Sequence, residues 1–276
     1  MTRESCPERI RDIRFTERTV TRIWQEEAAP DNPYLAARCR CHGYDLMELM
    51  RKRSFVDVFF LLFSGELPSK EQARLLESLM IALINPGPRH PATRAAMNAG
   101  VGSTFPQHIL PIALSVGGGS FLGGEEVEQA MRFLRSQQQK DPLLLAAELL
   151  RGAERPEEGD WHVAPGFGSR YGSVDPLARE MAAECARLPA SGGSLAWGES
   201  FAEAIKPEGL GWVATGVAAA VLCDLGFHPR TGAGLFQIFC APGLLAHGLE
   251  LANKPVTAMP FLDGEHYVIH EDAKRR

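Results

Sequence analysis

The chain has 276 residues, of which 45% are hydrophobic, so it can bury a substantial core in one large domain or in two unequal ones. Its formal net charge of -5 argues against nucleic acid as a partner, because a sequence-independent grip on phosphates needs clustered lysine and arginine. Apolar runs such as FVDVFFLLF and WVATGVAAAVLCDLGF are short and carry Asp57 and Asp224, so we expect no membrane span.

The first predicted elements are a short hairpin and an amphipathic helix. The hairpin is predicted near residues 13–24, IRFTERTVTRIW, and the helix over residues 69–84, SKEQARLLESLMIALI. Ser69 and Gln72 stand at capping-box spacing, and the leucines that follow recur on one helical face. This pattern predicts a helix that starts at Ser69 and packs through its leucines.

The middle of the chain is predicted to alternate helices with loops. Residues 124–136 carry acids in a first turn ahead of an apolar stripe, and residues 141–152 begin with Asp141 as a cap before a proline. The stretches 151–160 and 188–199 are rich in glycine, proline or charge and are predicted to be loops or domain joints.

The last third is predicted to contain two long buried helices. They lie within residues 211–227 and 235–251, and both segments are apolar on most faces. Together with the earlier helices, these segments predict a mainly α protein.

Six cysteines are scattered along the chain, and only Cys39 and Cys41 lie close together. No second pair follows at the spacing that would complete a zinc site, so we expect no metal and interpret the cysteines as reduced thiols. Reduced thiols fit the cytoplasm, where disulfides seldom persist, and we recognise no secretory signal. The predicted location is therefore cytoplasmic.

The segment GFGSRYGSVDPLA, residues 166–178, has the composition of a ligand-binding loop. Gly166 and Gly168 can adopt backbone angles closed to other residues, so the chain can turn sharply and approach a ligand closely. Arg170 can bind a phosphate or a carboxylate, while Asp175 and the proline after it are predicted to start a helix. We therefore predict that Arg170 points into a pocket.

Three segments resemble the citrate synthase superfamily. RCHGYDLMELMRKRSFVDVFFLLFSGELPSKEQ, residues 40–72, resembles its opening signature, in which a glycine-tyrosine-aspartate element precedes a helix and the phrase GELP. Residues 166–178 are similar to its GFGHR…DPR loop. LCDLGFHPRTGAGLFQIFCAPGLLAHGLE, residues 222–250, resembles its C-terminal helix pair, nearest to short citryl-CoA lyase modules. The resemblance extends from about Arg38 to the final helix.

This resemblance implies a citrate synthase-like, mainly α fold and a homodimer. It implies a large helical domain of residues 1–125 and 228–276 and a small helical domain of residues 126–227. It also implies a CoA thioester or an organic acid as the ligand, with coenzyme A or an acyl-CoA bound reversibly and no tightly bound cofactor.

The resemblance further implies the chemistry of a citryl thioester, whose carbon-carbon bond is made or broken through an acetyl-CoA enolate. A carboxylate takes the α-proton, one histidine donates a hydrogen bond to the thioester oxygen, and a second histidine polarises the keto acid. Arginines bind the carboxylates through bidentate contacts.

At the matching positions of this chain the catalytic groups are replaced. The two histidines fall on Leu122, in SFLGGE, and on Ser169, and the aspartate falls on Thr215, in VATG. A further histidine falls on Pro86, and an expected arginine on Cys240. Each missing group is worth about two to four orders of magnitude in rate, and loss of the base alone would stop ordinary enolisation.

Other positions are retained or offer substitutes. His90 and Glu208 are the candidate substitutes for the missing imidazole and the missing base. The ligand-binding candidates are Gly166, Gly168, Arg170 and His247, and the further retained positions are Gly123, Gly124, Asp175, Pro176 and Gly243.

Three of the candidates also have a purely structural interpretation. His90 lies in a turn-like RHPAT segment that is typical of a surface loop, and His247 lies on an apolar helix, as a core histidine would. Thr215 can be a buried helical residue whose hydroxyl bonds to a preceding carbonyl.

Two functional hypotheses follow. The first is a homodimeric, non-catalytic or chemically altered member of the superfamily that binds an acyl-CoA-type ligand or a partner subunit through its cleft. The second is an active CoA-thioester enzyme, citryl-CoA lyase-like or citrate synthase-like, with relocated catalytic residues. The substitutions favour the first hypothesis. An unrelated helical protein is a third interpretation.

Overall fold

A computed structural model of the protein describes residues 20–260 and 262–267. By its internal contacts the chain divides into two units, Met1–Leu67 and Pro68–Arg276. Within the described residues there are eleven α-helices and six short strands, which confirms the mainly α class. The large and small helical domains of the sequence analysis stay a prediction.

The first unit contains a small sheet and two helices. Strands β1 (Trp24–Ala28), β2 (Ala36–Cys41) and β3 (Tyr44–Asp45) pair antiparallel in that order, and helices α1 (Leu46–Lys52) and α2 (Phe55–Ser64) follow. The hairpin that we observe, β1 with β2, begins at the last residue of the predicted one. The earlier residues 13–19 lie outside the described part of the chain.

The second unit is mostly helical. In the described residues its helices are α3 (Lys70–Leu83), α4 (Pro91–Val101), α5 (Pro106–Gly117), α6 (Gly124–Gln137), α7 (Pro142–Gly152), α8 (Pro176–Ala186), α9 (Gly193–Ile205), α10 (Ala214–Asp224) and α11 (Pro229–Leu251). Strands β4 (His162–Ala164), β5 (Phe167–Gly168) and β6 (Gly211–Trp212) form a second antiparallel sheet, and short 3-10 turns occupy Lys206–Glu208 and Val256–Ala258.

Local capping signals explain where several of these helices begin. Ser69 and Gln72 form the predicted capping box of α3, and the predicted apolar face of that helix is buried. Asp141 accepts hydrogen bonds from the N–H groups of Leu143 and Leu144 at the start of α7, as predicted.

The predicted loop over residues 188–199 is wrong in its second half, because α9 begins at Gly193. The cap of this helix comes from a distant residue. The carboxylate of Asp224, at the end of α10, accepts the N–H groups of Gly192, Ser194 and Leu195 at 2.8 to 3.1 Å. The glycine-rich local sequence therefore predicts a loop, whereas the hydrogen bonds to the distant Asp224 allow a helix to begin there.

Helices α10 and α11 form the centre of the second unit. Helix α10 is buried from Thr215 to Leu222 and packs against α6 and α9. Helix α11 packs against α4, α5 and α6. Of the described helices, α11 alone is long and apolar enough to cross a membrane by length and composition, and 44% of its most apolar window is buried in the structure. These contacts fix the position of the N-terminus of α10.

Candidate functional site

The second unit contains a cavity of about 500 Å³, here called the main cavity. Segments from five parts of the unit line it: the loop after α3, the residue before the turn into α6, the segment after β5 together with α8, the start of α10 and the middle of α11. The lining residues used below are Pro86, Arg89, His90, Leu122, Arg170, Tyr171, Asp175, Val213, Ala214, Thr215, Phe236 and Cys240.

The main cavity brings together part of the predicted site. Leu122, Thr215, Arg170 and His90 all line it, together with the substituted positions Pro86 and Cys240. The predicted site residues outside its lining are Gly166, Gly168, Ser169, Glu208 and His247.

Arg170 stands at the base of a tight hairpin that follows β5. Its N–H donates to Ser173 O at 2.6 Å, and the two residues between them have positive φ, 50° at Tyr171 and 75° at Gly172. This is the geometry of a type I′ turn. The guanidinium lies 4.7 Å from the centre of the Tyr171 ring and 6.0 Å from that of Phe121, so two aromatic faces hold the charge in place.

Gly166 and Gly168 serve backbone packing. At Gly166, where φ is +82°, an added Cβ would lie 2.6 Å from Gly216 Cα at the start of α10. At Gly168 it would lie 2.7 Å from Trp161 O. The two glycines thus let β5 approach α10 on one side and the chain entering β4 on the other.

Ser169 is buried beside β4. Its Oγ accepts the N–H of Trp161 at 2.9 Å, and its own N–H donates to Trp161 O at 2.8 Å. The hydroxyl therefore ties the loop to the neighbouring chain segment and takes no part in lining the main cavity.

Leu122 has a backbone conformation that is uncommon for its type, with φ of 53°. Hydrogen bonds hold its peptide groups on both sides: its N–H donates to Glu126 Oε2 at 2.9 Å, and its carbonyl lies 2.9 Å from His90 Nε2. The side chain, 7% exposed, forms part of the cavity wall.

His90 is the N-cap of α4 and not a surface-loop residue, since it is 7% exposed. Its Nδ1 accepts the N–H of Ala92 at 3.2 Å, so the proton is on Nε2, which donates to Leu122 O. Burial lowers the pKa of His90, which favours the neutral ring. Both nitrogens are committed, and His90 offers no free imidazole nitrogen to a ligand.

Thr215 lies in the first turn of α10 and is 1% exposed. Among the described residues its Oγ1 has no hydrogen-bond partner, so the expected bond to a preceding carbonyl is not found. The N-cap residue, Val213, has no side chain that can accept from the first N–H groups of the helix.

The other two candidates lie elsewhere. Glu208 is exposed in the 3-10 turn Lys206–Glu208. His247 lies on α11 with Nδ1 at 3.7 Å from Glu250 Oε2, and its Nε2 is buried without a partner in the described part of the chain. Neither residue contributes to the lining of the main cavity.

The main cavity offers binding groups more than acid-base groups. Among the described residues that line it, Asp175 is the one carboxylate, and its Oδ1 caps α8 as predicted by accepting two backbone N–H groups. Burial raises the pKa of Cys240 to about 12, so its thiol is neutral and unreactive at neutral pH. Arg89 and Arg170 remain as permanent charges.

The sequence analysis missed a buried pair beside this cavity. Glu126 is 3% exposed; its Oε1 accepts from His162 Nδ1 at 3.2 Å and from Gly166 N–H at 3.4 Å, while Oε2 accepts from Leu122 N–H. The hydrogen bond that His162 Nδ1 donates to Glu126 raises the pKa of His162. Both side chains line a second cavity of about 480 Å³. The sequence pattern does not indicate that Glu126 is buried, because both Glu126 and its neighbour Glu125 are acids in the first turn of a helix.

Comparison with known proteins identifies the fold. No protein-family model and no curated protein matches the chain. The structure of citryl-CoA lyase from Hydrogenobacter thermophilus is similar, with 26% identity and a TM-score of 0.74 over 94% of this chain and 96% of that chain.

Two more distant structures share the fold. ATP citrate lyase from Methanothrix soehngenii, in complex with citrate and coenzyme A, is 18% identical with a TM-score of 0.69, over 94% of this chain and 44% of that chain. Citrate synthase from Thermotoga maritima MSB8 is 16% identical with a TM-score of 0.56, over 94% of this chain and 96% of that chain. The resemblance seen in the sequence is thereby confirmed: the chain has the fold of the citrate synthase superfamily and a citryl-CoA lyase-like character.

Proposed function

We propose that the protein binds an acyl-CoA-type ligand or an organic acid in the main cavity and does not cleave citryl-CoA. The observation that carries this proposal is which polar groups of the cavity are already engaged in hydrogen bonds and which remain available to a ligand. His90 has both nitrogens committed and Thr215 carries no carboxylate, whereas Arg89 and Arg170 are available as charges. Binding needs the arginines, but enolisation needs an acid and a base as well.

The comparisons support the choice of ligand class. The similar ATP citrate lyase structure contains citrate and coenzyme A. The rival hypothesis of an active enzyme relied on His90 and Glu208 as relocated groups. His90 is engaged in capping α4, and Glu208 is exposed outside the cavity lining. The geometry therefore favours ligand binding without cleavage of citryl-CoA.

A thermal-shift titration with citrate, coenzyme A and acetyl-CoA tests the proposal. We expect at least one of these ligands to raise Tm progressively with its concentration, because a ligand that binds only the folded state stabilises it by mass action. Arg170→Gln should weaken that binding by about tenfold or more, since a charge-assisted contact is lost. Arg94→Gln, at an exposed position on α4 outside both cavities, is the matched control and should leave the titration unchanged.

A parallel assay follows the release of free thiol from citryl-CoA. We expect the wild-type protein to match the buffer blank. Thiol release above the blank by wild-type protein would contradict the non-catalytic assignment, and a flat Tm with all three ligands would contradict ligand binding.

We also propose that the chain forms a homodimer through α5 and α11. These helices contact each other, and each carries two apolar residues that are 41% to 45% exposed. The four residues are Ile112, Val116, Ile238 and Leu249. Light scattering at micromolar concentration should give the mass of two 30.2 kDa chains. Ile238→Asp should shift the protein towards monomer, and a wild-type monomer would contradict the assignment.

A further inference from the structure

The main cavity has a buried end and an exposed end. The buried end is lined by Leu122, Val213, Phe236 and Cys240, none of which is more than 7% exposed. The exposed end is lined by Arg89, Tyr171 and Leu177. A ligand that fills the cavity therefore loses its water at one end and keeps part of it at the other.

Short contacts join the elements of the buried end. Glu126 accepts the N–H groups of Leu122 and Gly166 at 2.9 and 3.4 Å. The carbonyl of Gly166 in turn accepts the N–H of Val213 at 3.2 Å. Helix α11 packs against α6 and α10 and supplies the other two residues from one of its faces, because they are one helical turn apart. The buried end is therefore one continuous surface.

No side chain of the buried end carries a charge. Leu122, Val213 and Phe236 are hydrocarbons, and the thiol of Cys240 is neutral because burial raises its pKa. His90 is buried beside Leu122 and has both ring nitrogens in hydrogen bonds. A carboxylate at this end would lose its water and gain no cation from these side chains, whereas an apolar chain gains from burial.

The charged side chains belong to the exposed end. Arg89 is exposed, and the guanidinium of Arg170 lies 4.7 Å from the centre of the Tyr171 ring, on a residue that is 66% exposed. Among the described lining residues Asp175 is the one carboxylate, and its Oδ1 accepts two backbone N–H groups at the start of α8. This end therefore favours an anionic head group.

We propose that the buried end of the main cavity selects an apolar chain in preference to a carboxylate. The ligand class is an amphiphile, whose short alkyl chain packs against Leu122, Val213 and Phe236 while its anionic head group lies near Arg89 and Arg170. A free acid with such a chain and its CoA thioester share this chemistry. The inference deepens the proposed function and rests on it, because it names the part of the ligand that the cavity buries.

Calorimetric titration of the wild-type protein with acetyl-CoA, butyryl-CoA and succinyl-CoA tests the selection. Butyryl-CoA should bind about tenfold more tightly than acetyl-CoA, because each additional buried CH₂ group contributes about threefold to fourfold. Succinyl-CoA has as many acyl carbons as butyryl-CoA but ends in a carboxylate, so it should bind about tenfold more weakly than butyryl-CoA or worse. Acetate, butyrate and succinate give the same comparison for the free acids, and the series that shows the gain identifies the head group.

Leu122→Asn tests the assignment to the buried end. Asparagine is among the residues that tolerate a φ of 53°, and the hydrogen bonds of this peptide do not involve the side chain, so the backbone is kept. The preference for butyryl over acetyl should fall from about tenfold to about twofold or less. Leu144→Asn is the matched control, since Leu144 is 73% exposed on α7 outside both cavities, and it should keep the wild-type preference. The Tm of each variant without ligand shows that it is folded.

The wild-type series decides the proposal even where a variant does not fold. No gain from acetyl to butyryl in either series, or succinyl binding as tight as butyryl, would overturn the selection. The proposed function would survive that result if coenzyme A, acetyl-CoA or citrate still binds, whereas binding of none of the probes would overturn both. An unchanged butyryl preference in folded Leu122→Asn would overturn the assignment of the chain to the buried end.

Discussion

Gly216→Ala is expected to lower the free energy of unfolding by about 3 kcal/mol or more, because the added Cβ meets backbone that has nowhere to move. It would lie 2.7 Å from Gly166 C and 2.8 Å from Gly166 Cα, and closer still to Gly166 O. That contact is where the chain just before β5 packs against the first turn of α10. Urea denaturation measures the loss.

Gly234→Ala is the matched control, since it lies in α11 with nothing within 4 Å of an added Cβ. Alanine is the better helix former, so this variant should be more stable than wild type by about 0.5 to 1 kcal/mol. Equal stabilities for the two variants would show that the approach of Gly166 to Gly216 is not the tight contact described above.

Glu126→Gln is expected to cost about 2 to 3 kcal/mol of unfolding free energy. The carboxylate accepts three N–H donors, from Leu122, His162 and Gly166. A glutamine has one acceptor oxygen, and its NH₂ group would face a donor, so at least one buried N–H loses its partner. Urea denaturation at neutral pH measures the change.

The cost of Glu126→Gln should also depend on pH. The pKa of His162 is raised in the folded protein, first by its hydrogen bond to Glu126. Such a group stabilises the fold fully below its unfolded pKa of about 6.5, and the contribution is lost as pH rises through the folded pKa. The difference between wild type and variant should therefore be larger at about pH 5.5 than at about pH 8.5.

Glu125→Gln provides the comparison for this pair of measurements. It is the preceding residue, it is exposed, and its carboxylate bonds only the exposed Gln129 among the described residues. We expect a change within about 0.5 kcal/mol at either pH. A pH-independent loss in Glu126→Gln would mean that the link to His162 contributes nothing to stability.

Elements with local signals were predictable from the sequence, and those that depend on distant contacts were not. The box formed by Ser69 and Gln72 and the cap at Asp141 are set by neighbours within three residues, and the structure has them as predicted. Helix α9 depends on Asp224, about thirty residues further along the chain, so its start was read as a loop. Capping by a remote carboxylate leaves no periodic pattern to detect.

The candidate site shows the same division. The superfamily resemblance marks the positions of Leu122, Arg170 and Thr215, and the structure places these three residues around one cavity. The resemblance could not say that Ser169 turns its hydroxyl to Trp161, because that depends on the pairing of two short chain segments. Side-chain direction in a loop follows from such pairing, which composition does not encode.

The backbone at Leu122 bears on how this fold can change over evolution. Its positive φ is maintained by hydrogen bonds from its own N–H to Glu126 and from His90 to its carbonyl, and neither bond involves the leucine side chain. The side chain at this position can therefore be exchanged while the peptide stays in place. A substitution at this position would change the chemistry of the cavity wall while the hydrogen bonds that hold the backbone stay the same.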